Sequence, residues 1–353
     1  MERKIKPRPL DAVREMEKQF IIPFLWFDGQ AEDAANFYVS VFKNARVKTK
    51  TNFSEEGARS SGMPKGSVMT VSFQIDGLDI TALNGGPAFS ITPAISFMVN
   101  CRTKEKIDGL WEQLSEGGQI MMELGTYPFS ERYGWVQDKF GVSWQLIMSQ
   151  EHYNIAPCLM FSGNQRGKAE EAINYYMSVF HNSSVERIAK YKEGDEGPEG
   201  TVAYASFNLI CQNFKAMDSG IDVPFQFNPA VSFAVNCYNQ AEIDYFWDKL
   251  SEGGDPEARQ CGWLADRYGV SWQIVPAALG LWVSDAESEA GRNVMKALLP
   301  MKKLDFNVLK QAYDSGMTND DSEIDFQEQG AHSFEQVEKS YSKNDFLSPN
   351  EEL

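Results

Sequence analysis

Two glutamines in matching strings are the residues whose type and setting most favour ligand chemistry. Gln145 lies in the string Trp-Gln-Leu-Ile and Gln273 in Trp-Gln-Ile-Val, between apolar neighbours of a short predicted strand. An amide in such a setting needs hydrogen-bond partners, so each glutamine could orient a ligand in a cleft. The alternative is an amide on the solvent side of an alternating strand. Side chains alternate across a strand, so if Trp144 and Trp272 pack under helices, both glutamines face the cleft, which we expect.

Aromatic and polar residues near these strands are further candidates. Trp135 and Trp263 each follow a glycine on the neighbouring predicted strand, where an indole could form the wall of a ligand pocket or belong to the core. Asn84, with Asp218 as its counterpart, ends a strand, where it could contact a ligand or bond its own backbone in a turn. The sequence assigns no catalytic residue. The candidate ligand-binding residues are Gln145, Gln273, Trp135, Trp263, Asn84 and Asp218.

The cysteines and histidines indicate neither a disulfide framework nor a metal cluster. The five cysteines are widely spaced and form no Cys-X-X-Cys pair, so reduced thiols in a cytosolic protein are the expected state. A nucleophilic cysteine would need an adjacent base, and no histidine follows or precedes one closely. The chain has three histidines, which we interpret as surface residues. They are His152, His181 and His332.

The elements that would position these residues occur twice. Residues 93–118 and 229–254 are identical at 15 of 26 positions, and residues 134–147 and 262–275 at 8 of 14. The blocks keep their order along the chain, which indicates a tandem duplication. The predicted organisation is an N-terminal arm (1–19), copy one (20–150), copy two (154–282), C-terminal helices (287–317) and an acidic disordered tail (318–353).

Each copy is predicted to contain two units, each made of a strand, a helix and further strands. Period-two and period-3.6 patterns separate strands from helices, and Asp76-Gly77 is typical of a two-residue hairpin turn. Residues 119–133 show no periodic pattern, so the sequence predicts neither a strand nor a helix there. In copy one the predicted strands are 21–27, 46–53, 68–75, 78–83, 94–100, 134–137 and 143–148, and the predicted helices are 31–42 and 104–115.

Charge excludes some classes of partner. The chain carries 33 basic and 50 acidic residues, a net charge of −17, of which ten acids and two bases lie in residues 318–353. Such a chain lacks the basic footprint that nucleic acid or an anionic membrane surface requires. No apolar run reaches the roughly 18–20 residues of a membrane span, and the first residues contain no signal-peptide core. We therefore expect a cytoplasmic protein without nucleic-acid or membrane partners.

Several ordered blocks resemble one known family. The string IIPFLWFDGQAEDAANFYVSVF, then DGLDITALNGGPAF, the helix that contains Ile107-Asp108 and Trp111, and GVSWQLI are similar to the PhnB-like branch of the vicinal oxygen chelate superfamily. That superfamily includes glyoxalase I, bleomycin-resistance proteins and extradiol dioxygenases. The resemblance implies an α+β fold of two tandem glyoxalase-like domains, with paired βαβββ units that form a curved mixed sheet around a cleft. It also implies an intrachain pseudo-dimer, for which a monomer in solution is one of the expected states.

The resemblance also implies a position for a metal. Superfamily enzymes typically hold one divalent ion with His, Glu or Gln side chains from four strands. The positions that correspond to the first two ligands carry no side-chain donor, since they are Pro23 and Ala94 in copy one and Pro157 and Ala230 in copy two. In the fourth strand only Asp79 offers a carboxylate, and Gln145 with Gln273 matches the last ligand position. We therefore predict no metal or other cofactor, with a divalent metal on unusual ligands as the alternative.

Two functions remain open from the sequence. The first is a small-molecule binding protein of the glyoxalase and bleomycin-resistance type, without the usual metal. The alternative is a lyase- or isomerase-like enzyme with atypical metal ligands, and copy two alone could be the active one. Members of this branch often carry the label of demethylubiquinone methyltransferases. We do not expect methyl transfer, because no glycine-rich loop follows a strand to hold a nucleotide-like cofactor.

Overall fold

The computed structural model describes residues 19–151 and 155–317. The predicted tail at 318–353, nearly all of the predicted arm at 1–19, and the residues His152 and His332 lie outside these ranges. Within the described ranges no helix is long and apolar enough to span a membrane.

The described part of the chain contains fifteen strands, and in each copy they are interspersed with helices. In copy one the strands are β1 (Ile21–Phe27), β2 (Ala45–Asn52), β3 (Val68–Ile75), β4 (Leu78–Asn84), β5 (Ile95–Cys101), β6 (Gln119–Tyr127), β7 (Ser130–Gln137) and β8 (Ser143–Met148). In copy two they are β9 (Ile155–Phe161), β10 (Ser184–Lys190), β11 (Val202–Leu209), β12 (Gln212–Asp218), β13 (Val231–Cys237), β14 (Trp263–Ala265) and β15 (Ser271–Pro276).

The α-helices follow the apolar periodicity. They are α1 (Ala31–Val41), α2 (Glu55–Ser61), α3 (Lys104–Ser115), α4 (Ala169–Val179), α5 (Gln240–Ser251), α6 (Leu279–Trp282), α7 (Glu289–Leu298) and α8 (Phe306–Asp314). Helix α3 begins at an N-cap, where the Thr103 hydroxyl accepts a hydrogen bond from the backbone N–H of Lys106. The equivalent cap of α5 is Asn239, which accepts from Glu242.

The predicted α+β class is confirmed by two mixed sheets with helices. Sheet A has seven strands in the order β14-β15-β13-β1-β4-β3-β2, and sheet B has eight in the order β10-β11-β12-β9-β5-β8-β7-β6. The Asp76-Gly77 hairpin is confirmed, because both residues have positive φ, 45° and 93°, as a turn of type I′ requires.

Neither copy forms a sheet by itself. Sheet A joins the first unit of copy one to the second unit of copy two, and sheet B joins the other two units. The joints are antiparallel pairs, in which Phe24 of β1 lies opposite Ser232 of β13 and Ser96 of β5 lies opposite Cys158 of β9. The ranges 20–150 and 154–282 therefore describe sequence repeats, while each sheet draws strands from both.

One hydrophobic core lies between the helix-facing sides of the two sheets. The Tyr38 ring on α1 lies 5.8 Å from that of Phe73 in sheet A and 5.3 Å from that of Trp144 in sheet B. The Tyr38 hydroxyl and the Trp144 indole donate to Asp138 Oδ2, at 2.9 and 2.8 Å. The two units of one copy are thus held together through the helix layer, although they belong to different sheets.

Copy two repeats this arrangement with Asp266. Its Oδ2 accepts from Tyr176 at 2.7 Å and from Trp272 at 2.9 Å, and its Oδ1 accepts from two backbone N–H groups. Burial raises the pKa of Asp266 to about 6, against the opposing effect of these four hydrogen bonds. Burial also raises the pKa of Asp138.

Two elements of copy one have no counterpart in our predictions. Strand β6 pairs with β7 through a register that shifts three times, and most of its residues are exposed or half-buried. No alternation marks such a strand in the sequence. Helix α2 has a single buried residue, Gly57, and a capping serine, Ser54, so it lacks an apolar stripe.

Candidate functional site

We refer to the side of each sheet that faces away from the helices as its concave face, after the curved sheet that the resemblance implies. Each of these faces carries a matching row of side chains. Row A consists of Ser72, Thr81, Phe24, Ser232 and Gln273, and row B of Ser206, Lys215, Cys158, Ser96 and Gln145. In both rows the first four residues are direct neighbours on adjacent strands. The fifth donates its amide N–H to the serine before it, at 3.0 Å in row A and 2.8 Å in row B.

Row B is buried and satisfied by hydrogen bonds. Gln145 is 1% exposed, and its Oε1 accepts a 2.8 Å hydrogen bond from the Tyr133 hydroxyl. Its Nε2 donates to Ser96 Oγ. Both ends of the amide are therefore engaged, so its plane is fixed, as the burial of a polar group requires.

Lys215 places a charge at the centre of row B. Its side chain is 0% exposed, and its ammonium lies 2.5 Å from Glu151 Oε2 and 2.8 Å from Ser206 Oγ. The Tyr204 ring centroid lies 5.6 Å from Nζ, and the Tyr204 hydroxyl donates to Glu151 Oε1 at 2.9 Å. A buried ammonium requires such partners, because an unpaired charge in the interior is strongly unfavourable.

A second carboxylate lies on the far side of Ser206. Glu186 Oε2 accepts from Ser206 Oγ at 2.5 Å, and Oε1 accepts from Asn208. Burial alone would raise the pKa of Glu186, but these hydrogen bonds and the charge of Lys215 together lower it. The side-chain amide oxygen of neighbouring Asn213, Oδ1, is buried without a hydrogen-bond partner.

Cys158 is a neutral thiol in the middle of row B. Burial raises its pKa to about 12, although the charge of Lys215 and hydrogen bonds with Ser96 and Gln145 oppose the shift. A thiol with so high a pKa is a poor nucleophile at neutral pH. Cys101 and Cys237 are also buried, with raised pKa values, on the helix-facing side.

Row A has the same frame without the buried charge. Thr81 stands where row B has Lys215, and its hydroxyl lies 3.0 Å from that of Ser72. Phe24 stands where row B has Cys158. The nearest ion pair on this face is Lys48 with Asp79, at 2.8 Å, and Lys48 is 40% exposed on the edge strand β2.

The C-terminal helices close one end of the row A face. Their apolar residues form a small second cluster with Met69 of β3 and Val275 of β15. The backbone N–H groups of Cys261 and Gly262 donate to the carbonyls of Met301 and Lys302, both at 2.8 Å. The buried residues of this cluster are Trp282, Val283, Val294, Met295, Leu304 and Leu309.

The β6–β7 hairpin and Glu151 close the row B face. Tyr133 belongs to an aromatic group at the hairpin, with its ring centroid 5.5 Å from Tyr127 and 5.0 Å from Phe129. Phe129 is 62% exposed, so this group reaches solvent. Copy two has no such hairpin, and the residue equivalent to Tyr133 is Cys261.

The predicted orientation of the tryptophan-glutamine pairs is confirmed. Trp144 and Trp272 pack in the helix-side core, and Gln145 and Gln273 lie on the concave faces. The solvent-exposed alternative is wrong for both glutamines, because both are buried.

Trp135 and Trp263 also lie on the concave faces, outside the core. The Trp135 indole donates to Ser143 Oγ at 2.7 Å. The Trp263 ring lies edge-on to Trp26 at 6.0 Å, and Trp26 also contacts the partly exposed Phe89 at 5.1 Å. These three rings form an apolar patch at one end of row A.

Asn84 and Asp218 lie on the other side of the sheets and hold helices. Asn84 Oδ1 accepts from the backbone N–H of Ala31 at the start of α1. Asp218 accepts from Gly167 and Ala169 at the start of α4. Both side chains fix a strand end to a helix N-terminus. This role is structural, like the backbone-bonded turn that was the alternative to ligand contact, and neither side chain faces row A or row B.

The residues on the concave faces do not fit the metal site that the resemblance implies. Pro23 lies on the same side of β1 as the core residues Ile21 and Leu25, and Pro157 lies on the core side of β9. Phe24 and Cys158 therefore occupy the concave face at this level. Row A then offers hydroxyls and one amide, and row B offers an ammonium, which repels a cation. Within residues 19–151 and 155–317, no three His, Cys, Asp or Glu side chains are grouped to share an ion.

Two charged residues, Lys215 and Glu151, are not among the candidate ligand-binding residues that the sequence indicates. A signal for Lys215 existed, because it lies in the strand string Asn-Phe-Lys-Ala-Met, where a charge is unusual. Glu151 carried no such signal. It follows strand β8 between the copies, and only the pairing of β9 with β12 brings it to Lys215.

Comparisons with known proteins extend over both copies. A family model described as 3-demethylubiquinone-9 3-methyltransferase matches residues 19–147 and 153–275. The PhnB protein from Bacillus cereus is 38% identical, over 37% of this chain and 100% of that chain, with a TM-score of 0.34. Glyoxalase I from Zea mays is 11% identical, over 72% of this chain and 91% of that chain, with a TM-score of 0.45. No curated protein matches the chain.

Proposed function

Since the chain belongs to the 3-demethylubiquinone-9 3-methyltransferase family, as two tandem PhnB-like copies, we propose that it is a small-molecule binding protein of the glyoxalase and bleomycin-resistance type. The ligand binds on the concave face of sheet B. That face combines strands of both copies, so neither copy is the active one alone. The methyltransferase description is the name of the family and carries no activity over to this chain.

The observation that carries the proposal is the composition of row B. A hydroxyl, an ammonium, a thiol and an amide meet there on adjacent strands, with Tyr133 and Tyr204 beside them. A few convergent polar groups beside aromatic rings are typical of a site that orients a small molecule. Row B itself contributes no carboxylate and no imidazole. The two carboxylates beside it, Glu151 and Glu186, are bonded to Lys215 and Ser206, so the proposed binding is independent of a divalent ion.

The C-terminal helices support the choice of sheet B. On sheet A they pack an apolar cluster against Met69 and Val275, so part of that concave face is covered by the chain itself. On sheet B, the corresponding corner is occupied by Glu151, a charged side chain that is 33% exposed. A polar contact near solvent is easier to exchange for a ligand than a buried apolar cluster.

The test is a thermal-shift screen of the full chain against a library of small metabolites, with hits measured by isothermal titration. Each hit is repeated with Gln145→Met and with Gln273→Met, a matched pair that removes one amide from each row. We expect at least one hit whose affinity falls about tenfold or more in Gln145→Met, because a lost hydrogen bond to a buried amide is worth about 1–3 kcal/mol, and does not fall in Gln273→Met.

The same titrations test whether ligand binding depends on a divalent metal ion. Titrations in the presence and absence of a chelator should give the same affinity, and metal analysis of the purified protein should find less than one divalent ion per chain. A library without hits, or binding that requires a stoichiometric divalent ion, would contradict the proposal. Binding that is lost in Gln273→Met alone would move the site to sheet A.

A further inference from the structure

We propose that the ligand of sheet B carries a carboxylate, which binds Lys215 and Tyr204 in the place that Glu151 occupies in this structure. In the absence of ligand, the side-chain carboxylate of Glu151 then occupies the position of the ligand carboxylate, and the ligand displaces it on binding. This inference deepens the proposed function and rests on it, because it names the ligand class and the anchoring groups of the same concave face.

The contacts of Glu151 define a cradle for a carboxylate. Its Oε2 accepts from the Lys215 ammonium at 2.5 Å, and its Oε1 accepts from the Tyr204 hydroxyl at 2.9 Å. Both oxygens thus have a charged or hydroxyl donor in different directions, an arrangement that a carboxylate satisfies and a neutral carbonyl does not. Ser206 accepts from Lys215 and donates to Glu186, so it fixes the ammonium and offers no proton to the ligand.

The burial of the two partners is unequal. Lys215 is 0% exposed and is held by β12, whereas Glu151 is 33% exposed and belongs to the connection that follows β8. Lys215 cannot reach water without a change in the sheet, but Glu151 can. An exchange in which Glu151 enters solvent and an external carboxylate takes its place leaves the buried ammonium paired throughout.

Sheet A provides the comparison that separates a cradle from a general feature of the fold. Lys215 corresponds to Thr81 at the offset of 134 residues that also relates Pro157 to Pro23. Glu151 corresponds to Leu279, the first residue of α6, at the offset of 128 residues that relates 262–275 to 134–147. Leu279 packs against the apolar cluster of the C-terminal helices. The two positions that carry the ammonium and its carboxylate in sheet B are therefore both uncharged in sheet A, where the ion pair Lys48–Asp79 lies at other positions. A joint change at the two positions is expected of a pair with a joint role.

The test uses chemical rescue in the full chain. Glu151→Ala empties the cradle and removes the carboxylate that is bonded directly to the ammonium, and we expect the melting temperature to fall by about 5–10 °C. Sodium acetate at about 0.1 M should restore at least half of that fall in a saturable way, because acetate fits where the side-chain carboxylate was. Acetamide, and sodium chloride at the same ionic strength, should restore little. Glu151→Ser, which also leaves room for acetate but retains a small hydrogen-bonding group, serves if Glu151→Ala does not fold.

The matched control gives sheet B the residues of sheet A. The double variant Lys215→Thr/Glu151→Leu removes both charges together, so it should remain folded, and acetate should not stabilise it beyond the chloride control. In the wild type acetate should also have little effect, because Glu151 competes at the high effective concentration of an attached group. Equal stabilisation by acetate and chloride, or rescue that survives the loss of Lys215, would overturn the inference.

The two proposals fail in different ways. A neutral metabolite that binds the wild type and the double variant with equal affinity would leave the proposed function standing and overturn the carboxylate anchor. Rescue by acetate in a protein for which the metabolite screen finds no ligand would leave the cradle standing and refute the proposed function.

Discussion

The two concave faces of this molecule share a frame and differ in charge. Both have a glutamine amide bonded to a serine hydroxyl, and both have a tryptophan on the strand beyond. Row B contains the fully buried ammonium of Lys215, and its carboxylate partner, Glu151, lies on the connection that follows β8. Row A contains hydroxyls and a phenylalanine, and its corner is filled by the C-terminal helices. The shared residues therefore maintain the fold of each face, and the differing ones give sheet B its own chemistry.

The largest effect should come from moving the charge to the other face. In Thr81→Lys, row A receives an ammonium, and the carboxylate on the same face of β4, Asp79, is already bonded to Lys48 and Gln74. We therefore expect a loss of about 3–5 kcal/mol in the free energy of unfolding. Urea denaturation of the full chain measures it. Adding Leu279→Glu supplies the missing partner and should recover part of the loss. An unchanged stability in Thr81→Lys would mean that the two faces do not differ in their tolerance of charge.

The helix-side carboxylates should behave alike, because their surroundings match. Asp138 and Asp266 each accept four hydrogen bonds, from a tyrosine, a tryptophan and two backbone N–H groups. Asparagine directs an N–H₂ group at donors, so Asp138→Asn and Asp266→Asn should each lower the stability by about 3 kcal/mol. Thermal and urea unfolding of both variants test this equality. Costs that differ by more than about 1 kcal/mol would show that the cores of the two copies are not equivalent.

The pH dependence of that cost follows from the pKa of Asp266. Its value of about 6 in the folded chain lies above that of an unfolded aspartate, so the folded state binds the proton more tightly. The stability contributed by this group is present below the unfolded pKa and is lost as the pH rises through about 6. The difference in stability between the wild type and Asp266→Asn should therefore be larger at pH 4.5 than at pH 7.5. Urea unfolding at both pH values measures it, and an increase with pH would contradict the assignment.

The smallest expected effect is the difference in lost stability between a variant of Tyr133 and a variant of its counterpart, Cys261. Tyr133→Phe leaves Gln145 Oε1 buried without its donor, and we expect a loss of about 1–2 kcal/mol. Cys261→Ala removes a half-buried thiol that bonds the carbonyl of Leu299, and should lower the stability by less than about 1 kcal/mol. Differential scanning calorimetry of the two variants gives the comparison. Equal losses would indicate that the Tyr133 hydroxyl adds nothing to row B.

The local elements were predictable because their patterns are local. Strands β1 and β8 and helix α3 have the predicted bounds, since an apolar alternation or a capped amphipathic stripe defines each of them. Strand β6 was missed because an irregular, largely exposed edge strand has no such pattern. The facing of Gln145 was predictable from Trp144, because neighbours on a strand must point to opposite sides.

The site was less predictable, because its partners come from separate parts of the chain. Cys158 meets Ser96 only through the pairing of β5 with β9, and Glu151 meets Lys215 only through the pairing of β9 with β12. The repeats in the sequence reveal two copies, but they do not indicate which units share a sheet. A lysine in an apolar strand was visible, and only the three-dimensional arrangement supplied its carboxylate.

The exchange of units between the sheets also determines how dilution acts on this protein. The joints between β1 and β13 and between β5 and β9 connect copies that belong to one chain. If the same sheets were assembled from two separate chains, their stability would fall with protein concentration by mass action. Here the joints form within one molecule, so this part of the folding equilibrium is unimolecular. Both sheets therefore stay assembled at concentrations at which a two-chain version would come apart.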